Sequence, residues 1–113
     1  MLKFLEVKFH VKKYMKMNLF YLFTISIHKK KIHALVIQKG KYVDLDDFSS
    51  NASSEEMVGL LKGISLVAKK LGISVDTGKG YRALVNISEH GGQEVPHVHF
   101  HLFGGEKVGK MVQ

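Results

Sequence analysis

The sequence predicts an α+β domain, an antiparallel sheet carrying a helix on one face. Three observations predict it. Short apolar and β-branched runs lie toward both ends of the chain. One stretch between them, near residues 54–71, repeats its apolar residues at helical spacing. No internal repeat, linker or low-complexity segment divides the 113 residues, so they read as one domain, 1–113. Strands, then a helix, then strands is the order that α+β folds use.

Each element has its own local reason. Lys3–Val11 alternates partially and suggests a first strand. Leu19–Ile27 is aromatic and β-branched and reads as a second. Lys29–Lys31 is a polar connection, and His33–Ile37 is a third strand ending at Lys39-Gly40. Tyr42–Ser50 is acidic and polar and reads as a loop around Asp44, Asp46 and Asp47. Ser53 and Glu56 form a capping box that satisfies orphan N–H groups at a helix start. Met57, Leu60, Leu61, Ile64, Ala68 and Leu71 should then be the buried stripe. Lys69 and Lys70 complement the helix dipole in the last turn, and Gly72 fits the position just past the end. Val75–Gly80 is a loop, and Tyr81–Asn86 a strand. In the loop Ser88–Gln93, the pair Gly91-Gly92 permits positive φ. Pro96 leads into a final strand, His97–Phe103, ended by Gly104-Gly105.

Composition narrows the function classes. Without cysteine there is no disulfide framework, Cys–zinc site or cysteine nucleophile. The longest strongly apolar run, Leu19–Phe23, is far short of the roughly 20 residues a membrane span needs. The basic N-terminal stretch has no continuous apolar core or small-residue cleavage site. A soluble, non-secreted, cytoplasmic chain is therefore expected, with no membrane partner. The net charge of +7 favours anionic ligands, although a solvated basic surface would carry the same charge.

The segment His97-Val98-His99-Phe100-His101-Leu102-Phe103 carries the chemistry. In a strand, i, i+2 and i+4 share a face, so three imidazoles project one way while Val98, Phe100 and Leu102 face the core. Ring origins two residues apart lie about 6.5–7 Å from each other. Three readings are open on the residues alone. The face could be merely polar and half exposed. Strand histidines could converge on zinc. Or a neutral imidazole could attack phosphorus, with a neighbouring imidazole as its hydrogen-bonding or proton-transfer partner.

The segment resembles the His-φ-His-φ-His-φ-φ signature of the histidine-triad superfamily, where φ is apolar. Its flanks are similar too: Tyr81–Asn86 before it, Gly91-Gly92-Gln93 in the loop, Gly104-Gly105 after it, and His33–Lys39 as an earlier His-containing strand. The resemblance covers roughly residues 23–113, with 1–22 divergent, and is closest to the Hint-like branch. It implies a five-stranded antiparallel sheet with one long helix, extended across a homodimer. It implies a purine nucleotide (AMP-like) ligand, with hydrolysis of phosphoramidate or other nucleotidyl bonds. His99 would be the nucleophile, and His97 and His101 would bracket the phosphate. His33 would support them, and Asn86, Gln93 and Ile25 would contact the nucleotide. No metal or other cofactor is expected, and nucleic acid is not an expected partner. A nucleotide-binding protein with little turnover and a His-rich metal-binding protein are the alternatives. Two departures from the family pattern bear on ligand affinity. Thr24 stands where an aspartate usually holds the ribose hydroxyls. Glu94 stands where a serine or threonine usually lies near the leaving group.

Overall fold

The computed structural model describes residues 3–5 and 20–111. The expected first strand therefore falls inside the described residues only at its start; residues 6–11 lie outside them. The element order is β1 (Lys3–Leu5), β2 (Phe20–His28), β3 (Lys31–Gln38), α1 (Leu45–Asn51), α2 (Ser54–Lys70), β4 (Arg82–Leu84) and β5 (His99–Gly104). The five strands form one antiparallel sheet in the order β1-β2-β3-β5-β4. β2 and β3 are joined by the two-residue turn Lys29-Lys30, with His28 paired to Lys31.

β3 and β5 sit at the centre, and their alternation divides the sheet into two faces. Ala34, Val36 and Gln38 are buried, while His33, Leu35 and Ile37 between them are half-buried. In β5, Leu102 is fully buried, as is Val98 just before the strand. Leu102 pairs with Ala34 and Phe100 with Val36, so these residues share the covered face. Leu60, Ile64 and Val67 of α2 complete that core, with Phe100 packed against it.

Helix α2 begins at the expected capping box. Ser53 Oγ accepts from the Glu56 N–H, and a Glu56 carboxylate oxygen accepts from the Ser53 N–H. It ends in a Schellman motif. The Gly72 N–H donates to the Lys69 carbonyl and the Ile73 N–H to the Ala68 carbonyl. This turn requires φ of +75° at Gly72, which glycine adopts without a Cβ penalty.

The buried stripe differs from the expected one. Leu60, Ile64 and Ala68 are buried, and Met57 and Leu71 are half-buried, but Leu61 is 67% exposed. Val67, not included in the stripe, is fully buried. The reason lies in Gly59 and Gly63, both buried on this helix. Glycines carry no hydrophobic signal, yet they let the helix approach the sheet. They centre the buried face between Leu60 and Gly63, and Leu61, about 100° round the helix from Leu60, is left in solvent.

The acidic loop is also corrected. Residues 45–51 are helix α1. Asp44 caps it by accepting from the Asp47 N–H, and Asp47 accepts from the Val43 N–H. Phe48, 3% exposed, anchors the helix in the core edge-on to Tyr42, with ring centroids 5.2 Å apart. One buried side chain in seven residues leaves no periodicity to read. The fourth and fifth strands are shorter than expected, Arg82–Leu84 rather than 81–86 and His99–Gly104 rather than 97–103.

Candidate active site

The strand pairing assembles a row of rings on the face opposite α2. His33 pairs with Phe103, Leu35 with His101 and Ile37 with His99. Arg82 and Leu84 of β4 pair with Phe103 and His101 and extend the same face. These side chains are all half-buried, so among the described residues the face is only partly covered.

His99 and His101 follow the i, i+2 rule, and their rings lean together to a 5.1 Å centroid separation in an edge-on arrangement. His97 does not follow it, because the strand starts two residues later. It lies on a bend after Pro96, where its N–H donates to the Val95 carbonyl. Its ring is fixed instead by Nε2–H donating to the Gln38 carbonyl at 2.6 Å.

That bend places the His97 carbonyl where it accepts from His99 Nδ1 at 2.8 Å. A carbonyl oxygen only accepts, so Nδ1 of His99 carries the hydrogen. In the neutral ring Nε2 then holds the lone pair. The His99 tautomer is thereby the one with a nucleophilic Nε2.

His101 Nδ1 and His33 Nε2 share a hydrogen bond of 2.9 Å. The two rings stack, and Phe103 stacks on His33 at 4.3 Å. Burial pushes the His101 imidazole down to about 4, helped by charge repulsion from His99 and His33. Burial also lowers His33. Both rings are thus neutral at pH 7, as a shared hydrogen bond between two imidazoles needs.

Stability follows with a definite sign. The unfolded chain protonates His101 near 6.5, whereas the folded chain resists until about 4. The unfolded state binds more protons between those values, so stability is complete above 6.5 and is lost as pH falls through about 4. Urea melts at stepped pH should show the midpoint falling across this window. His101→Gln should flatten that fall; an equally steep decline in the variant would contradict this account.

Three residues that sequence reasoning did not single out for the site support it from beneath. Gln38, 1% exposed, donates from Nε2 to Glu56. Its Oε1 accepts from the Gly40 N–H. Tyr42 donates its hydroxyl to the same Glu56 carboxylate, and its carbonyl accepts from the Val98 N–H. The Ser53 N–H, ahead of the Tyr42 and Gln38 hydrogen bonds, holds the Glu56 carboxyl below its ordinary range. Of this network the sequence showed only the Ser53–Glu56 capping pair; Gln38 and Tyr42 gave no signal of their own.

The loop 88–93 is tied down by side-chain hydrogen bonds to backbone. The Gln93 amide is engaged with backbone: Oε1 accepts from the Ser88 N–H, and Nε2 donates to the Val43 and Val95 carbonyls. Asn86 Nδ2 donates to the Gly91 carbonyl. A Cβ at Gly91 would collide with the Ile87 backbone, so this fold of the loop needs glycine there. Glu94 is exposed just beyond. Ile25 pairs with Ala34 and Thr24 with Leu35 in β2. Among the described residues, no three His, Cys, Asp or Glu side chains converge as a metal site would require. None of their helices is long and apolar enough to cross a membrane.

Comparison with known proteins gives the following matches. A family model described as the HIT domain matches residues 8–108. A HIT-like protein of Azospirillum brasilense is 46% identical over 80 residues, 71% of this chain and 63% of its own. The purine nucleoside phosphoramidase of Escherichia coli K12 is 37% identical over 81 residues, 71% of this chain and 64% of its own. The chain thus spans less than two thirds of either relative's length. A solved structure described as a Hit-like protein superposes with a TM-score of 0.63 and 36% identity, covering 82% of this chain and 84% of the other. A HIT family hydrolase from Legionella pneumophila gives a TM-score of 0.57 and 28% identity, covering 72% and 79%.

Proposed function

The chain belongs to the HIT-domain family, and from that premise we propose that it is a hydrolase of purine nucleoside phosphoramidates or related nucleotidyl bonds, with His99 as nucleophile. The observation that carries this reading is the hydrogen bond from His99 Nδ1 to the His97 carbonyl. It leaves Nε2 with a lone pair beside His101 on the partly open face of the sheet. The E. coli relative's name supports the same substrate class.

The reaction balances in two steps. Nε2 of His99 attacks the α-phosphorus, a P–N(His) bond forms, and the bond to the amine breaks as the amine takes up a proton. Water then attacks the same phosphorus, the P–N(His) bond breaks, and a nucleoside monophosphate leaves with one proton returned to solvent. His101 flanks the phosphate, His97 serves through the carbonyl that orients His99, and neutral His33 keeps His101 in place. Leu35, Ile37 and Phe103 offer an apolar floor for the nucleoside. Incubation with adenosine 5′-phosphoramidate tests the reading: AMP and ammonia should appear in equal amounts. Nucleotide binding without release of either product would favour the binding-protein alternative instead.

Glu94 would stand near the departing amine, which its carboxylate attracts and a second phosphate would not tolerate. Glu94→Ser should therefore improve affinity for diphosphate-linked substrates relative to phosphoramidates. An unchanged ratio would remove Glu94 from the site.

The same reading includes a homodimer. β4 is a three-residue edge strand with one side unpaired among the described residues. Edge strands are costly to leave open, and a second copy would cover this one. Sedimentation should give twice the 12.7 kDa chain mass at micromolar concentration; the single-chain mass would refute the dimer.

A further inference from the structure

A cavity with no histidine in its lining lies toward the other end of β5 from His99. It opens at the far end of β5, between the loop that follows α2 and the segment after Gly104. Gly105, in its wall, is six positions along the chain from His99, about 20 Å at strand rise. Its volume is about 830 Å³, within the usual range of small-molecule sites.

Its lining is cationic. Lys30 comes from the β2–β3 turn, Lys79 from the loop before β4, Arg82 from β4 itself and Lys107 from the C-terminal segment. Against these four stands one carboxylate, Glu106, which lies 3.9 Å from Lys31. Among the described residues, Lys30, Lys79 and Lys107 take part in no ion pair. Four cations drawn from four separate segments around one cavity repel one another unless a counter-charge enters.

Arg82 is also held in place. Its Nη2 donates to the Gly109 carbonyl at 2.7 Å, which fastens the segment forming one wall. That bond uses one of the five donors of the guanidinium fork. A held guanidinium whose remaining donors can reach a cavity suits an anion with several oxygens.

We propose that this cavity binds a polyphosphate chain, either free or as the tail of a nucleoside triphosphate. Spread cations favour a linear anion with several charges over a single phosphate, which could meet only some of them. No histidine lines the cavity, and the proposal does not depend on their chemistry.

Titration calorimetry on the full chain, at physiological ionic strength, tests it with sodium tripolyphosphate as the probe. The wild type should bind. The pair Lys79→Glu and Lys107→Glu should weaken binding by about tenfold or more, since each reversal places repulsion inside the cavity. Lys62→Glu, on α2, should change it less than about twofold. Hydrolysis of the phosphoramidate should be equal in all three proteins. His99→Ala should keep full tripolyphosphate affinity. Adenosine triphosphate in a second arm separates the sources: equal affinity identifies the chain alone as the ligand, and tighter affinity that the same pair abolishes identifies the nucleotide. The proposal fails if the wild type gives no binding, if Lys62→Glu weakens it as much as the pair does, or if His99→Ala removes it. Absence of hydrolysis in every protein would overturn the catalytic reading and leave this one standing.

Discussion

His99→Ala is expected to abolish the covalent intermediate and to lower turnover by at least about 10³-fold, as removal of a nucleophile does in other covalent enzymes. The geometry explains why the loss should be so complete. The attacking Nε2 belongs to the ring whose Nδ1–H is pinned by the His97 carbonyl. His101 is a poor replacement, because burial holds its imidazole down to about 4 and a weakly basic nitrogen is a weak nucleophile. His97 is a poor replacement too, because it lies before the strand and its ring is turned to the Gln38 carbonyl. Folding should survive, since the His99 side chain is half-buried on the open face and its loss leaves no core cavity. His97→Ala and His101→Ala should slow the reaction but leave some intermediate. Trapping a substrate analogue and mapping the modified residue by mass spectrometry checks all three. Modification of His97 or His101 in the wild type would overturn the assignment.

The second large effect is on stability. Leu102→Ala should destabilise the fold by about 2–5 kcal/mol, a large part of the total of about 5–15 kcal/mol for a domain of this kind. Leu102 is fully buried and sits mid-strand, paired with Ala34 on one side and Ala83 on the other. Both cross-strand neighbours are small, so neither can fill the space. Leu102→Met, which conserves volume, should cost less than about 1.5 kcal/mol. Urea unfolding of the two variants decides it; equal losses would mean that packing volume is not what Leu102 supplies.

Much of the helix and its ends was legible because each signal there is local. Ser53, Glu56 and Gly72 act within a turn of where they stand, so spacing alone reveals them. The histidine strand was legible for the same reason at His99 and His101. His97 was not, because the bend after Pro96 shifts it out of the strand, and its partner Gln38 is distant in sequence. Helix α1 was hidden by polar composition, its capping by Asp44 and Asp47 being indistinguishable from loop chemistry until Phe48 is seen in the core. The Leu61 error came from reading apolar residues only, when Gly59 and Gly63 set the contact. Gln93 shows the converse. The sequence marks the residue, but only the fold reveals an amide engaged with the backbone of two segments.

The Glu56 carboxylate closes the first turn of α2 and also holds Gln38 and Tyr42. Gln38 in turn supplies the carbonyl that fixes His97, whose own carbonyl fixes His99. Fraying of that helix end and loss of the His99 orientation are therefore one opening event rather than two. In hydrogen-exchange measurements the amides of Ser53, Glu56 and Gly40 should exchange together, with a common protection factor, as members of one cooperative unit. A ligand that grips His99 should slow exchange at Ser53, on a helix it does not touch.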